Sequence, residues 1–170
     1  MNEKIVERNG IKGTLHSNGG GFVASTAYVS PTAYVGANAC VLDYAKVSDK
    51  AKINDNVKVW GRAKVYGNAA IFGDAEIFGN AWIFENALVY GAAKVYGCAR
   101  VYGRADICGD AMVSGESEIF ERAKIYNNAR VYGKSWISGE AKVHGNAKVC
   151  GKVHIARSEI SGEDQIEKSK

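Results

Sequence analysis

The sequence predicts an all-β protein with a single solenoid domain and a short cap at each end. Three observations lead to this prediction. The 170-residue chain has 20 glycines but one proline, its alanines and valines recur at fixed spacing, and an unbroken series of six-residue units runs from residue 21 to residue 158. A repeat of this kind indicates a stacked architecture in which each unit contacts its neighbours.

Every six-residue unit follows one chemical pattern. The third position is Val or Ile in all 23 units, from Val23 to Ile155, and the first position is Ala in most of them. In an extended segment, positions 1 and 3 point to one side and positions 2 and 4 to the other. Positions 1 and 3 therefore predict a thin apolar interior, and positions 2 and 4, which carry charged and aromatic residues, predict an outer surface. Position 5 is usually Gly, otherwise often Asp or Asn, and these residues predict a turn because they tolerate positive φ.

The two ends of the chain depart from the repeat. Asn9-Gly10 lies between two short apolar-bearing runs, and this dipeptide is the strongest two-residue hairpin signal. We expect residues 1–20 to form an N-terminal hairpin cap that covers open strand edges of the first coil. The polar and charged residues 159–170 predict a short C-terminal cap or tail.

Composition and charge exclude several classes of protein. Hydrophobic residues make up 46% and charged residues 24%, which is typical of a folded chain and not of a disordered one. No run of about 18 apolar residues is present, which excludes a transmembrane helix, and we expect no secretory signal. The net charge of +4 is smaller and less clustered than in a dedicated nucleic-acid-binding protein. The four cysteines lack metal-ligand spacing, so we expect a reduced, cytoplasmic protein.

The tandem units, such as AKVYGN at 63–68 and ARVYGR at 99–104, resemble those of the hexapeptide-repeat superfamily over residues 21–158. The resemblance implies a left-handed parallel β-helix in which three units make one triangular coil of 18 residues, and hence seven to eight coils. The flanking segments Ser17–Val23 and Gly162–Ile166 resemble those of prophage-type and YdcK-like hexapeptide proteins, which are commonly labelled acetyltransferases. The superfamily is typically trimeric.

Residues 18 apart stack in neighbouring coils, so the outward side chains form three faces. Face 1 carries Lys64, Trp82, Arg100, Glu118 and Trp136 at position 2, and Tyr66, Phe84, Tyr102 and Phe120 at position 4. Face 2 carries Ala70, Leu88, Asp106, Lys124 and Lys142, with Phe72, Tyr90, Cys108, Tyr126 and His144. Face 3 carries Lys58, Glu76, Lys94, Met112 and Arg130, with Trp60, Phe78, Tyr96, Ser114 and Tyr132. Stacked pairs in such ladders stabilise the solenoid by about 0.2–1 kcal/mol each.

An uncharged patch on face 2 predicts an oligomer interface. It spans two coils and consists of Ala70, Phe72, Leu88 and Tyr90. The predicted apolar interior is small relative to the number of residues that folding must order. Covering an outer face by association would add buried apolar area. This patch and the trimers typical of the superfamily together predict a homotrimer.

Face 1 predicts a binding site for a small anionic ligand. Cations alternate there with flat rings in the set Lys64, Tyr66, Trp82, Arg100, Tyr102 and Trp136. Such a surface could stack a base and pair with a phosphate or carboxylate. The alternative for each of these residues is a solvated side chain over a ladder that only stabilises the fold.

Candidate catalytic residues are few. The resemblance implies that an acyltransferase would use a histidine as general base, in a groove between neighbouring prisms and often beside a loop excursion. The chain has no excursion between residues 21 and 158. His144 on face 2 is the candidate base under that hypothesis, and the alternative is a surface histidine that completes the aromatic ladder. His16 lies in the predicted cap, and His154 lies near the opposite end.

The sequence predicts no metal site. Zinc-dependent carbonic anhydrases of this fold use three histidines that meet between subunits, and the positions of His144 and His154 do not match that pattern. Cys108 and His144 share face 2 but lie two coils apart, roughly 10 Å, which is too far for one zinc ion. Asn and Asp recur along one corner, from Asn38 to Asn146; a row of divalent ions is one interpretation, and turn chemistry explains the residues better.

Two classes of function follow from the sequence. The first is a non-catalytic trimeric binding or scaffold protein, for which the resemblance suggests a phage or prophage origin. It would sequester a small anionic, nucleotide-like ligand or contact a host protein, and it would need no cofactor. The alternative is a coenzyme A-dependent acyltransferase that uses acetyl-coenzyme A. The lack of excursions and of a well-placed histidine favours the first class.

Overall fold

An antiparallel hairpin precedes the solenoid. The computed structural model describes residues 5–168, so residues 1–4 and 169–170 of the two predicted caps lie outside the described residues. Strands β1 (Val6–Arg8) and β2 (Ile11–Leu15) pair antiparallel. The turn residues Asn9 and Gly10 have φ values of 51° and 77°, the left-handed geometry that an Asn-Gly turn adopts. The predicted hairpin is therefore confirmed.

The solenoid consists of short strands, which up to residue 155 begin at position 2 of a repeat and mostly end at position 3. In chain order they are β3 Phe22–Ala24, β4 Tyr28–Val29, β5 Tyr34–Val35, β6 Cys40–Val41, β7 Lys46–Val47, β8 Lys52–Ile53, β9 Lys58–Val59, β10 Lys64–Val65, β11 Ala70–Ile71, β12 Glu76–Ile77, β13 Trp82–Ile83, β14 Leu88–Val89, β15 Lys94–Val95, β16 Arg100–Val101, β17 Asp106–Ile107, β18 Met112–Val113, β19 Glu118–Ile119, β20 Lys124–Ile125, β21 Arg130–Val131, β22 Trp136–Ile137, β23 Lys142–Val143, β24 Lys148–Gly151, β25 His154–Ile155, β26 Glu159–Ile160 and β27 Gln165–Lys168.

Three parallel sheets form the three faces. Every third strand belongs to the same sheet, with β4 to β25 on face 1, β5 to β26 on face 2 and β3 to β27 on face 3. Residues 18 apart pair within each sheet, as Lys64 does with Trp82. The hairpin extends face 3, because β2 pairs antiparallel with β3. The predicted all-β solenoid of parallel 18-residue coils, about eight in number, is confirmed. Within residues 5–168, no helix is long and apolar enough to cross a membrane.

The core lies along the axis of the solenoid. The alanines at position 1 and the Val or Ile at position 3 have no exposed surface from Ala33 to Val149. Two serines, Ser117 and Ser135, replace alanine at position 1 and are also fully buried. Their hydroxyls donate to the backbone carbonyl oxygen at position 4 of the preceding repeat, at 2.7 and 2.9 Å, so these polar groups are paired inside an apolar core.

From Asp43 to Gly151, the residue at position 5 turns the chain at each corner with positive φ. Five of these corners carry an acid, and the residue 18 positions later is then a glycine whose N–H donates to the carboxylate. The pairs are Asp43–Gly61, Asp49–Gly67, Asp55–Gly73, Glu85–Gly103 and Glu121–Gly139. A Cβ on Gly103 would lie 2.7 Å from the backbone nitrogen of Glu121 in the next coil, so the close stacking of corners requires glycine there.

The repeat loses one residue near its C-terminal end. Glu159 pairs with Lys142, and Ile160 pairs with Val143, at a spacing of 17 residues instead of 18. Strands β26 and β27 then continue the sheets of faces 2 and 3 in parallel. Residues 159–168, within the predicted C-terminal cap, thus form part of a further coil.

Candidate functional site

Face 1 presents its position-2 side chains as one straight column. Parallel pairing aligns Lys64, Trp82, Arg100, Glu118 and Trp136 in consecutive coils, and His154 follows Trp136. Strands in a sheet are about 4.8 Å apart, so each side chain of the column lies against the one before it and the one after it. The backbone ladder therefore fixes where every functional group of this face stands.

Trp82 lies between two cations. Lys64 Nζ is 4.3 Å and Arg100 Cζ is 5.3 Å from the centroid of the Trp82 ring system. Lys64 and Arg100 occupy the rungs before and after Trp82, so they cover opposite faces of the indole. Each contact is worth about 0.5–2 kcal/mol. A ligand ring could stack on Trp82 only by displacing one of the two cations.

Arg100 also contacts an acid on the next rung. Its Nη1 lies 3.6 Å from Glu118 Oε1, and the Tyr102 hydroxyl donates to Glu118 Oε2 at 3.1 Å. Burial, together with this hydrogen bond, raises the pKa of Tyr102 to about 12. The guanidinium is thereby held between Trp82 and Glu118, and part of its charge is compensated.

The tyrosines of the predicted site belong to the position-4 ladder. Ring centroids are 4.9 Å apart for Tyr66 and Phe84, 4.8 Å for Phe84 and Tyr102, and 5.1 Å for Tyr102 and Phe120, with planes within 7° of parallel. Because Phe84 and Phe120 cover both faces of the Tyr102 ring, that ring cannot stack a ligand. The ladder instead supports the column beside it.

A groove opens in the C-terminal half of face 1, and we call it the aromatic groove. Its volume is about 670 Å³, within the range of about 300–1,000 Å³ usual for small-molecule sites. The side chains that give it its chemistry are Arg100, Glu118, Lys134, Trp136, Lys152 and His154. Of the six residues predicted for the site, Arg100 and Trp136 line this groove, whereas Lys64, Tyr66, Trp82 and Tyr102 do not.

Trp136 is an exposed ring in the C-terminal half of face 1. It is 51% exposed, and His154 meets it edge-on at a centroid distance of 6.2 Å and an interplanar angle of 76°. His154 Nε2 in turn lies 3.1 Å from the hydroxyl oxygen of Ser138. Ser138 is buried, so this hydroxyl orients the imidazole and does not face the groove as a nucleophile.

The groove has an excess of positive charge. Lys134 Nζ lies 3.2 Å from Glu116 Oε2, and Arg100 is paired with Glu118 as described above. Lys152 forms no ion pair with any of residues 5–168. One uncompensated ammonium group beside an exposed indole suits a ligand with a flat ring and an acidic group.

The groove members that the predicted site did not include comprise Lys134, Lys152 and His154. Lys134 and Lys152 occupy position 6, in the turn, where strand alternation does not specify the direction of a side chain. The 18-residue register alone would have placed His154 directly after Trp136 in the column.

His144 lies on face 2, away from the aromatic groove. Its ring stacks on Tyr126 at 4.6 Å and 6°, and its Nε2 lies 2.8 Å from Glu159 Oε1. The hydrogen bond from His144 and the nearby Lys142 ammonium lower the pKa of the Glu159 carboxyl. The geometry is that of a histidine that ends an aromatic ladder and pairs with an acid. The imidazole of His16 bonds to the backbone of Asn18, within its own turn.

The polar corner residues bond with one another. Asn56 Nδ2 donates to Asp74 Oδ1 at 2.9 Å, and Asn128 Nδ2 donates to Asn146 Oδ1 at 3.1 Å. Across the described part of the chain, no three His, Cys, Asp or Glu side chains converge into a potential metal site. Hydrogen bonds between coils account for these four residues of the row.

The predicted interface patch on face 2 is partly exposed. Leu88 is 38% exposed, while Ala70, Phe72 and Tyr90 are half-buried. Phe72 and Tyr90 stack at 4.8 Å, and Leu88 pairs with Ala70 on one side and Asp106 on the other. The patch is thus a small apolar surface centred on one leucine.

Comparison with known proteins gives one local match. The family model described as the YdcK beta solenoid repeat matches residues 123–139, about one coil of the solenoid. No curated protein matches the chain.

Proposed function

We propose that this chain, a β-solenoid repeat protein of YdcK type, is a non-catalytic binding module for a small anionic ligand with a flat ring. The observation that carries the proposal is the aromatic groove, where the exposed Trp136 lies beside Arg100, Lys134 and Lys152. The proposed site is thus the C-terminal half of face 1. The Trp82 region serves to hold Arg100 in place.

The chemistry of the groove suits a nucleotide-like molecule. A base would stack on Trp136, an interaction worth about 1–3 kcal/mol per base. The phosphate would pair with Lys152, which has no partner among residues 5–168, and with Lys134 after exchange with Glu116. A volume of about 670 Å³ accommodates a ligand of this size.

Rigidity supports binding rather than turnover. The groove stands on stacked strands that contain no insertion between residues 21 and 158, so no loop is positioned to close over a reacting group. The backbone ladder holds the side chains in place before a ligand arrives, which reduces the entropy that binding must overcome. His144, the candidate base of an acyltransferase, lies on another face and bonds to Glu159.

We further propose that the module is a cytoplasmic homotrimer assembled through face 2 and that it needs no cofactor. Leu88 and its apolar neighbours support this choice of face, since their burial between subunits would remove apolar area from water. A host protein is the alternative partner, in line with a phage or prophage origin.

Calorimetry with adenosine 5′-monophosphate, coenzyme A and acetyl-coenzyme A tests the proposal. We expect the nucleotide to bind, and Trp136→Ala or Arg100→Ala to weaken it roughly 5- to 150-fold. His144→Ala is the control, because it removes a ring from a different face, and we expect it to leave the affinity unchanged.

Two results would overturn the proposal. One is nucleotide binding that survives both Trp136→Ala and Arg100→Ala, because the site would then lie elsewhere. The other is tight acetyl-coenzyme A binding with acyl transfer that His144→Ala abolishes, because this result would establish the acyltransferase.

A further inference from the structure

The aromatic ladder of face 3 lacks one ring. Trp60 and Phe78 stack at 4.5 Å, and Phe78 and Tyr96 at 4.8 Å, with planes within 6° of parallel. The next rung is Ser114, and the rung after it is Tyr132. The ladder is therefore interrupted for one coil between two tyrosines.

The missing ring leaves an open slot. Tyr96 and Tyr132 stand two rungs apart, or roughly 9.6 Å, from the usual spacing of strands in a sheet. Carbon atoms in contact are about 3.5–4.0 Å apart, so one flat ring fits between two such rungs. A separate cavity of about 330 Å³ is present at this place, lined by Tyr96, Met112, Ser114, Arg130, Tyr132 and Lys148. We call it the Ser114 slot.

The edge of the slot is cationic. Arg130 and Lys148 are exposed, and neither forms an ion pair with any of residues 5–168. Met112 occupies position 2 of the same rung as Ser114, where its thioether can contact the edge of a ring. The lining thus offers two tyrosines, a thioether and two cations, and none of its six residues is acidic. Glu167 lies outside this lining, and its charge helps to raise the pKa of Tyr132.

A second interruption of a ladder shows what distinguishes this slot. On face 2, Cys108 separates the stacked pair Phe72 and Tyr90 from the stacked pair Tyr126 and His144. The position-2 residue of that rung is the acidic Asp106, and a hydrogen bond between Tyr90 and Cys108 helps to raise the pKa of the tyrosine. The rung of Cys108 therefore has an acidic edge, whereas the rung of Ser114 has a thioether and two cations at its edge.

We propose that the Ser114 slot binds a planar aromatic carboxylate about the size of a tyrosine side chain, with the ring as the missing rung and the carboxylate on Arg130. The ligand restores the ladder that Ser114 interrupts. Arg130 binds the carboxylate because its guanidinium can offer two parallel N–H donors, and Lys148 adds a second positive charge. This site is separate from the aromatic groove and does not depend on the function proposed for it.

The test uses 4-hydroxybenzoate, which carries a tyrosine-like ring and a carboxylate. We expect it to bind with a Kd of about 1 mM or tighter and to raise the melting temperature. Ser114→Tyr supplies the ring covalently, so we expect a higher melting temperature without ligand and affinity reduced at least about tenfold. Ser114→Ala leaves the slot open and is the matched control, with an expected affinity within about twofold of the wild type.

Further variants identify the source of the affinity. We expect Arg130→Met to weaken 4-hydroxybenzoate binding about tenfold or more. We expect 4-hydroxybenzyl alcohol to bind weakly, and to the same extent, to the wild-type protein and to Arg130→Met. Trp136→Ala should leave the binding unchanged, which separates this site from the aromatic groove. Unaltered binding to Ser114→Tyr, or no binding to the wild-type protein at about 1 mM, would overturn the proposal.

Discussion

Substitution of one core valine by aspartate tests the register of the whole solenoid. Val95 has no exposed surface and stacks between Ile77 and Val113 in the neighbouring coils. Removing its apolar side chain costs about 1.5–3 kcal/mol. An unpaired carboxylate in this core, where no cation is within reach, costs about 3–5 kcal/mol more. The sum, about 5–8 kcal/mol, is comparable to the total stability of a typical domain, about 5–15 kcal/mol.

The assay is urea unfolding followed by far-ultraviolet circular dichroism. We expect Val95→Asp to lack a cooperative transition or to unfold at a much lower urea concentration. The matched control is Lys94→Asp, one residue earlier on the outer surface, which loses a 3.6 Å ion pair with Glu76. That change should cost about 1 kcal/mol or less. Equal stability of the two variants would refute the assignment of positions 2 and 3 to opposite sides.

Three further predictions concern the corners, the face 1 ladder and the assembly. In urea unfolding, Gly103→Ala should destabilise the protein by more than the roughly 1–2 kcal/mol of left-handed backbone strain, since its Cβ would lie 2.7 Å from a backbone nitrogen. The control is Gly20→Ala, at φ +76° with nothing within 4 Å, which should cost only that strain. Ultraviolet absorbance should show Tyr102 titrating near pH 12, and Glu118→Gln should lower the midpoint of this titration. Because the pKa is raised from 10.0, the associated stability is present below pH 10 and is lost as the pH rises toward 12. Light scattering should give about three times the 18.2 kDa chain mass, and Leu88→Glu should reduce it; an unchanged trimer in that variant would place the interface elsewhere.

Most of the fold could be predicted because one residue pattern repeats without interruption. Strand alternation assigns the alanines at position 1 and the Val or Ile at position 3 to the interior, and the structure buries them fully from Ala33 to Val149. The resemblance to hexapeptide-repeat proteins implied three units per coil, and this register of 18 predicts stacked pairs such as Phe78 with Tyr96. The Asn9-Gly10 turn was predictable because few dipeptides adopt two consecutive left-handed conformations at low cost.

The end of the solenoid was harder to predict. The one-residue deletion after Ile155 disrupts the six-residue pattern, and the polar residues that follow resemble a tail in composition. Their pairing with β23 and β24 becomes visible only when Glu159 is aligned with Lys142. A strict period therefore underestimates how far the parallel strands continue.

The candidate site was predicted in part. The column of Lys64, Trp82 and Arg100 follows from the register, but which faces of a ring are covered depends on side-chain positions. The lysines of the aromatic groove stand at position 6, where turn geometry determines their direction. The Ser114 slot arises because one aromatic ring is absent from a ladder, and no sequence motif identifies a missing ring.

A crystal structure of the protein with adenosine 5′-monophosphate tests the central claim most directly. The account predicts the adenine ring stacked on Trp136 in the aromatic groove, with the phosphate within hydrogen-bond distance of Lys152 or Lys134. It predicts no nucleotide on face 2. A nucleotide bound beside His144 and Glu159, with the aromatic groove unoccupied, would contradict it.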